Sequence, residues 1–164
     1  MKICVLGATG LVGKELLELI PRAWPEAELV LFASRAREIE RHGKRYEVRA
    51  AADLELDDAP RGDLAMVALD DDHSKRYVPR LLELGYKVGD KSNTFRMDPE
   101  IPLGVGGVNH ARVTDSTPLV ANPNCTTIPF ALAVGPLMRA FGLESASVST
   151  YQAISGAGVG ALNS

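Results

Sequence analysis

Apolar residues along the chain fall into two patterns, short continuous runs and longer stretches in which they recur every three or four positions. Short runs are typical of strands buried in a parallel sheet, and they predict strands at residues 2–6, 28–33, 64–69, 86–88 and 119–121, with a short edge strand at 46–49. The helical spacing predicts helices at residues 14–20, 77–84 and 126–141. Because strands and helices alternate, we expect right-handed βαβ units and an α/β fold with a doubly wound parallel sheet.

Polar and turn-forming residues separate these elements. Pro21 is expected to limit the first helix, and the acidic run at residues 70–72 is expected to cap the N-terminus of the second. The charged residues 35–45 predict an exposed loop or a short helix. Residues 145–154 alternate as a strand does, and a glycine turn follows them. Because this strand starts so close to residue 164, we expect the sequence to be part of a longer chain.

A glycine-rich turn lies between the first predicted strand and the first predicted helix. Its spacing is Gly7-x-x-Gly10-x-x-Gly13, which differs from the common Gly-x-Gly-x-x-Gly pattern. Glycine allows the backbone to approach a pyrophosphate closely, and the helix start offers unpaired N–H groups to it. This context favours a Rossmann-like nucleotide site over a plain glycine turn. The candidate cofactor-binding residues of this turn are Gly7, Thr9, Gly10, Leu11 and Val12.

The end of the second predicted strand distinguishes between the two nicotinamide dinucleotides. A site for NAD usually carries a carboxylate there, to hold the ribose 2′-hydroxyl. This strand instead runs into Ser34 and Arg35, with Arg37 close by. A hydroxyl and a guanidinium suit the 2′-phosphate of NADP(H), which we therefore expect as the cofactor. The alternative is a solvated loop with ordinary surface arginines.

The two cysteines have different surroundings. Cys4 lies inside the first strand, where it is expected to be a small core residue. Cys125 precedes a helix in whose first turn Pro129 fits, so the thiol lies at or just before the helix N-terminus. The helix dipole there is expected to lower the thiol pKa, and Asn124 can donate an N–H to a developing oxyanion. On these residues alone, an inert buried cysteine is an equally good interpretation.

Four segments together resemble the aspartate-semialdehyde dehydrogenase family. They are the glycine turn, residues 90–99 (DKSNTFRMDP), residues 121–127 (ANPNCTT) and residues 150–158 (TYQAISGAG). They occur in the order and spacing of that family. The resemblance covers all 164 residues but only about half of a family enzyme. Two departures are Lys91, where the family has asparagine, and Gly106-Gly107, where it commonly has Pro-Glu.

The resemblance implies roles for individual residues. Cys125 would be the nucleophile that forms a covalent acyl-enzyme, and Asn124 would help to position the substrate and the oxyanion. Arg96 would bind the substrate phosphate or free phosphate, and Gln152 would orient the substrate near the thiol. Without the resemblance, Arg96 would be a surface ion pair and Gln152 an exposed strand residue.

The resemblance also implies the domain organisation. Residues 1–122 would form the NADP-binding Rossmann-like domain, and residues 123–164 would begin an α+β catalytic and dimerisation domain whose remainder is not present. Ser155 and Gly156 would lie against the nicotinamide end of the cofactor. The acid–base histidine and the arginine for the substrate carboxylate would come from the later half.

The activity implied is NADP-dependent reductive dephosphorylation of β-aspartyl phosphate to aspartate semialdehyde, in the pathway to lysine, threonine, methionine and isoleucine. Residues 1–164 alone are expected to be inactive. N-acetyl-glutamyl-phosphate reductase is a related alternative, although its cysteine segment usually reads Asn-Pro-Gly-Cys, and Asn124 stands at the glycine position. A third possibility is a chain that binds NADP, or docks to a partner, without catalysis.

Composition adds limits on partners and setting. The formal net charge of −3 and a pI near 5.6 provide no basic excess for nucleic acid. No apolar stretch is long enough to predict a membrane span, and no ligand cluster predicts a metal site. Two distant cysteines and the absence of a targeting signal favour the cytoplasm. A small-molecule substrate and phosphate are the expected partners, and the resemblance implies a homodimer or tetramer for the full-length protein.

Overall fold

A seven-stranded sheet organises the chain, of which the computed structural model describes residues 1–153. The strand order is β3-β4-β2-β1-β5-β6-β7, and every neighbouring pair is parallel except β3 with β4. The strands are β1 (Lys2–Leu6), β2 (Glu28–Ala33), β3 (Arg37–Arg41), β4 (Lys44–Ala50), β5 (Leu64–Val67), β6 (Lys87–Asp90) and β7 (Leu119–Ala121). The helices are α1 (Leu11–Ala23), α2 (Asp71–Glu83) and α3 (Thr127–Phe141), with short 3₁₀ turns at Ala51–Glu55 and His110–Arg112.

Both faces of the sheet are covered near its centre. Ile3 and Val5 of β1 point to the side of α1, where they join Leu17 and Ile20 in one core. The alternate residues of β1, such as Leu6, point to the opposite side and pack in a second core with α2. A strand buried on both faces needs apolar residues at every position, which explains the continuous apolar run at residues 3–6. The predicted α/β fold with a Rossmann-like, doubly wound sheet is confirmed.

The charged stretch at residues 35–45 was wrongly predicted as a loop or helix. It contains β3 and the start of β4, which form an antiparallel hairpin around His42 and Gly43. Both turn residues have positive φ, 50° and 73°, as a two-residue hairpin turn requires. The charges misled the prediction because β3 is an exposed edge strand. The same hairpin removes β4 from the edge position predicted for residues 46–49, since β4 pairs with both β2 and β3.

Several predicted boundaries also move. Helix α1 starts at Leu11 and continues through Pro21 to Ala23, because a proline in the last turn removes only one internal hydrogen bond. Strand β5 ends at Val67, two residues earlier than predicted. Helix α3 starts at Thr127, one residue later than predicted, and ends at Phe141 as predicted. Gly142 follows with φ 78°, as expected for a glycine that terminates a helix.

The strand predicted at residues 145–154 is wrong over its described part. Residues 145–153 are exposed and form neither helix nor strand. An alternating pattern forms a strand only where it pairs with another strand, and no strand within residues 1–153 pairs with this segment. Ile154 and the glycine turn at 155–158 lie outside the described residues. The proposed boundary between residues 122 and 123 stays a prediction.

Candidate active site

The carboxyl ends of five parallel strands lie in one row of the sheet. Leu6 of β1 is paired with Phe32 of β2 and with Val67 of β5, Val67 with Asp90 of β6, and Asp90 with Ala121 of β7. The glycine turn, the Ser34 segment, the loop after β6 and the cysteine segment therefore leave the sheet at the same edge. Ligands of open α/β sheets bind outside this edge, where crossovers leave in opposite directions. Here that position is between β1 and β5, because α1 and α2 cover opposite faces.

The glycine turn is built so tightly that two of its glycines admit no side chain. Gly7 has φ 93°, and a Cβ built on it would lie 2.5 Å from the carbonyl oxygen of Ala68. The N–H groups of Gly7 and Ala8 both donate to the carbonyl oxygen of Phe32, at 2.9 and 3.0 Å. A Cβ on Gly13 would lie 2.1 Å from the Gly7 carbonyl oxygen. These contacts hold the start of α1 directly against the end of β1.

The outer part of the same turn is open and rich in donors. A Cβ on Gly10 would have only one neighbour within 4 Å, the carbonyl oxygen of Gly7 at 3.3 Å. Among residues 1–153, no atom accepts from the N–H groups of Thr9, Leu11 and Val12. Leu11 and Val12 are also exposed. Unpaired N–H groups at the positive end of a 13-residue helix suit a pyrophosphate, so the turn fits a dinucleotide.

Ser34 and Arg35 directly follow β2 at this edge, and both are exposed. Arg35 forms no salt bridge with any other residue of the described chain. The nearest carboxylate along the sequence is Glu38, which lies in β3. The Ser34 hydroxyl and the Arg35 guanidinium, which has no salt-bridge partner among the described residues, are thus available beside the end of β2.

Cys125 is exposed, two residues before the first residue of α3. The side-chain oxygen of Asn124 accepts from the Thr126 N–H at 2.9 Å and from the Thr126 hydroxyl at 2.7 Å. The Cys125 thiol lies 3.8 Å from that oxygen, and the Asn124 carbonyl accepts from the Ile128 N–H at 3.2 Å. Asn124 therefore uses its side-chain oxygen to hold Thr126, the N-cap residue of α3, and its side-chain N–H groups stay available to an oxyanion.

Cys4 is fully buried in β1, as the sequence predicts. Burial raises the pKa of its thiol to about 12, because the low-dielectric core disfavours the thiolate. The thiolate is the reactive form of cysteine, so Cys4 is chemically inert in the folded protein.

Arg96, the predicted phosphate ligand, is bonded to three protein oxygens. Its Nε donates to the Asn122 carbonyl at 2.8 Å, one terminal nitrogen donates to the Asn93 side-chain oxygen at 2.5 Å, and the other to the Lys91 carbonyl at 2.6 Å. A guanidinium has five N–H groups, so two remain free for an anion. The arginine thus joins the loop after β6 to the segment that carries Cys125.

The loop after β6 is braced from inside and from outside. The buried carboxylate of Asp90 accepts from the Ser92 hydroxyl at 2.5 Å and from the Ser92 N–H at 3.1 Å. On the outer side, the Asp71 carboxylate accepts from the Asn93 N–H at 2.7 Å. The acidic run at residues 70–72 predicted only helix capping for Asp71, and no local pattern indicates this contact with residue 93. Asp70 is the residue that caps α2, with the His73 N–H at 3.0 Å from its carboxylate.

The remaining predicted residues are not brought to the cysteine by any described contact. Gln152 is exposed and makes no hydrogen bond within residues 1–153, and Ser155 and Gly156 lie outside the described residues. Over the same range, no three potential metal ligands lie together, and no helix is long and apolar enough to cross a membrane. The expectation that the protein needs no metal stays a prediction. A surface cavity of about 700 Å³ near Met66 and Val120 is lined by none of the predicted site residues.

Comparisons with known proteins agree with this geometry. Residues 2–116 match the family model described as "Semialdehyde dehydrogenase, NAD binding domain". The chain belongs to the semialdehyde dehydrogenase family. Aspartate-semialdehyde dehydrogenase of Aquifex aeolicus is 38% identical over an alignment that covers 98% of this chain and 48% of the relative. The enzyme of the same name from Synechocystis is 36% identical over an alignment that covers 99% of this chain and 48% of that relative.

Solved structures give the same result. A crystal structure of aspartate semialdehyde dehydrogenase II from Vibrio cholerae, described as complexed with ASA, superposes with a TM-score of 0.82 at 32% identity. It covers 99% of this chain and 49% of the Vibrio chain. The chain thus matches the N-terminal half of aspartate-semialdehyde dehydrogenases and spans about half the length of these relatives. The family match and the donor-rich glycine turn together identify a domain for a nicotinamide dinucleotide.

Proposed function

We propose that the full-length protein is an NADP-dependent aspartate-semialdehyde dehydrogenase that converts β-aspartyl phosphate to aspartate semialdehyde. One observation carries the proposal. An exposed thiol, an asparagine amide fixed beside the start of α3 and a guanidinium with two free N–H groups leave the sheet at the same edge as the open glycine turn. A nucleophile, an oxyanion donor, a phosphate ligand and a nucleotide site are what an acyl-phosphate reductase requires.

The chemistry assigned to the protein's own residues begins at Cys125. Its thiolate sulfur attacks the acyl carbon of the substrate, the bond from that carbon to the phosphate oxygen breaks, and phosphate leaves from a thioester. The side-chain N–H group of Asn124 stabilises the oxyanion during the attack. Arg96 binds the departing phosphate through its two free N–H groups. A reduced nicotinamide, held through its pyrophosphate at the glycine turn, would supply the hydride for the thioester carbon. Cys125 would then be released as the thiolate when its carbon–sulfur bond breaks and the aldehyde leaves.

The preference for NADP(H) is supported by the residues that follow β2. Ser34 offers a hydroxyl, and the guanidinium of Arg35 has no carboxylate partner among the described residues, so both suit a 2′-phosphate. A ribose 2′-hydroxyl would instead be held best by an acidic side chain, which this position lacks.

Because the relatives are about twice as long as this chain, the groups needed for catalysis are proposed to come from two halves of the protein. Residues 1–164 are proposed to supply the nucleotide site, the thiol and the phosphate arginine, while the acid–base group and the carboxylate ligand come from a half that this chain does not cover. Residues 1–164 alone are therefore proposed to bind NADPH without appreciable turnover. We further propose a cytoplasmic location, small-molecule substrates as the partners, and a homodimer or tetramer for the full-length protein.

Two assays test these proposals. The first is oxidation of aspartate semialdehyde, with NADP and phosphate, by residues 1–164 and by a form extended to the length of the relatives. Activity is expected only in the longer form, and equal activity would refute the need for a second half. Oxidation of N-acetyl-glutamate semialdehyde in its place would favour the related reductase.

The second assay titrates residues 1–164 with NADPH and NADH and follows the nicotinamide fluorescence. Binding of NADPH is expected to be at least about tenfold tighter, because a charge-assisted bond to the 2′-phosphate is worth about 1.5–3 kcal/mol. Equal affinity for both nucleotides would refute the assignment of Ser34 and Arg35.

A further inference from the structure

Asp71 is bonded across the fold to the loop that holds Arg96. It is the first residue of α2, and its carboxylate accepts from the Asn93 backbone N–H at 2.7 Å. The Asn93 side-chain nitrogen lies 3.3 and 3.2 Å from the two oxygens of the same carboxylate. The Thr94 hydroxyl adds a bond to the Asp71 carbonyl at 3.0 Å. Three donors of the loop thus converge on one residue of the helix.

Asn93 passes this restraint on to Arg96. Its side-chain nitrogen faces Asp71, so its side-chain oxygen faces the other way and accepts from Arg96 at 2.5 Å. The Arg96 backbone N–H also donates to the Asn93 carbonyl at 3.2 Å. An amide held at both ends has one orientation, and the negative carboxylate strengthens the bond at its far end by polarising the amide. The guanidinium therefore meets an acceptor whose direction is set by Asp71.

The last bond of the series reaches the cysteine segment. Arg96 Nε donates to the Asn122 carbonyl, which lies three residues before Cys125 and 26 residues from Arg96 along the chain. We propose that Asp71 is a positioning residue, which acts through Asn93 to hold the Arg96 guanidinium between the loop after β6 and the segment carrying Cys125. The proposal deepens the proposed function, because it rests on Arg96 as the phosphate ligand.

Two neighbours separate this role from ordinary helix capping. Asp70 is the residue that accepts from the His73 N–H and caps α2. Asp72 brings the same charge to the same first turn, yet its side chain makes no hydrogen bond within residues 1–153. If Asp71 acted only on the helix dipole, Asp71 and Asp72 would be equivalent. The pair therefore provides a matched comparison inside the protein.

The first experiment compares D71A with D72A in residues 1–164 by hydrogen–deuterium exchange. We expect D71A to speed exchange at the Arg96 N–H and in residues 122–126 by about threefold to tenfold, the range for one or two lost hydrogen bonds. D72A should stay within about twofold of the parent in both segments. Equal effects of D71A and D72A, or an effect of D71A confined to the first turn of α2, would overturn the proposal.

The second experiment measures how inorganic phosphate protects Cys125 from iodoacetamide. D71A should raise the phosphate concentration for half-protection by about threefold to tenfold, with the alkylation rate without phosphate nearly unchanged. D71N keeps one acceptor oxygen for the Asn93 N–H, so it should recover part of the loss. An unchanged half-protection concentration in D71A would overturn the proposal. If phosphate fails to protect even the parent, the assigned phosphate role of Arg96 is wrong, while the exchange measurement still decides whether Asp71 positions the arginine.

The variant N93A covers the case in which D71A alone is poorly folded, and a double-mutant cycle tests the route where both single variants fold. N93A removes the side-chain part of the link from the loop side, keeps the backbone N–H of residue 93 that bonds Asp71, and leaves α2 untouched. If Asp71 acts through Asn93, N93A reproduces the faster exchange at residues 122–126, and D71A/N93A adds little to either single variant. Additive effects of the two substitutions would overturn the proposed route.

Discussion

The glycine turn should separate folding from nucleotide binding, because its glycines meet different surroundings. Alanine at position 13 places a Cβ 2.1 Å from the Gly7 carbonyl oxygen and 2.7 Å from two backbone atoms of Ala8. No side chain can rotate away to relieve these contacts. The start of α1 would have to move from β1 by about 1 Å, and the movement would be transmitted to the core residues Leu17 and Ile20.

The size of the G13A effect follows from two opposing contributions. Overpacking of a core costs about 1–3 kcal/mol, and a clash with rigid backbone belongs at the upper end of that range. Alanine recovers about 1 kcal/mol through its higher helix propensity. The free energy of unfolding should therefore fall by about 2 kcal/mol, which lowers Tm by about 4–8 °C in a domain of this size.

Gly10 provides the control within the same turn. Its φ of −72° and ψ of 174° suit alanine, and its Cβ would approach only the Gly7 carbonyl oxygen, at 3.3 Å. G10A should change the free energy of unfolding by less than about 1 kcal/mol, since a poorer N-cap is offset by a less flexible unfolded chain. The added methyl group would fill space proposed for the pyrophosphate, so NADPH binding should weaken about tenfold or more.

Urea unfolding followed by far-UV circular dichroism gives the stabilities, and NADPH fluorescence gives the affinities. G13A should lose stability while G10A loses binding. A G13A variant as stable as the parent would refute the steric role of Gly13, and a G10A variant that binds NADPH as the parent does would refute the pyrophosphate site at Gly10.

Three further predictions concern single side chains. Iodoacetamide should label the exposed Cys125 in the folded protein and leave Cys4 unlabelled until urea is added, because burial raises the pKa of the Cys4 thiol to about 12. Labelling of both cysteines at equal rates would contradict the burial of Cys4. R35A should weaken NADPH binding about tenfold and leave NADH binding unchanged, and a parallel loss for both nucleotides would exclude a 2′-phosphate contact. The pKa of the Asp70 carboxyl is lowered, first by the bond from the His73 backbone N–H and then by the bond from the His73 ring. The ionised carboxylate therefore stabilises the folded protein fully above about pH 4, the unfolded-state pKa. This stabilisation is lost as the pH falls through the lower pKa of the folded state. D70A should therefore be less stable than the parent by about 0.5–2 kcal/mol at pH 7, with a difference that narrows below pH 4 in acid titrations followed by circular dichroism.

The elements that could be predicted from the sequence are those whose signal is local. The apolar run of β1 leads directly into Gly7, and the first helix follows within a few residues. The position of Cys125 before α3 was readable from Pro129 and the helical spacing after it. In each case neighbouring residues carry the information, because a tight turn or a helix start is formed by contacts within one stretch of chain.

Strand pairings between distant parts of the chain could not be predicted from the sequence. The hairpin of β3 and β4 is charged along its exposed edge, and its place in the sheet depends on the pairing of β4 with β2. Residues 145–153 alternate as a strand does, but no described strand pairs with them. Side-chain pattern alone does not show whether a partner strand is present.

The sequence by itself determined the α/β class, the glycine turn, the buried Cys4 and the thiol at a helix start, because backbone geometry and hydrophobic periodicity act over a few neighbouring residues. Tertiary structure alone decided that Arg96 forms hydrogen bonds to two loops and that the Asp71 carboxylate bonds Asn93 instead of capping its own helix. The Arg96 bond to the Asn122 carbonyl spans 26 residues, and the Asp71 bond to Asn93 spans 22. Hydrogen bonds depend on distance and direction in space, and those are set only when the sheet brings the ends of its strands together.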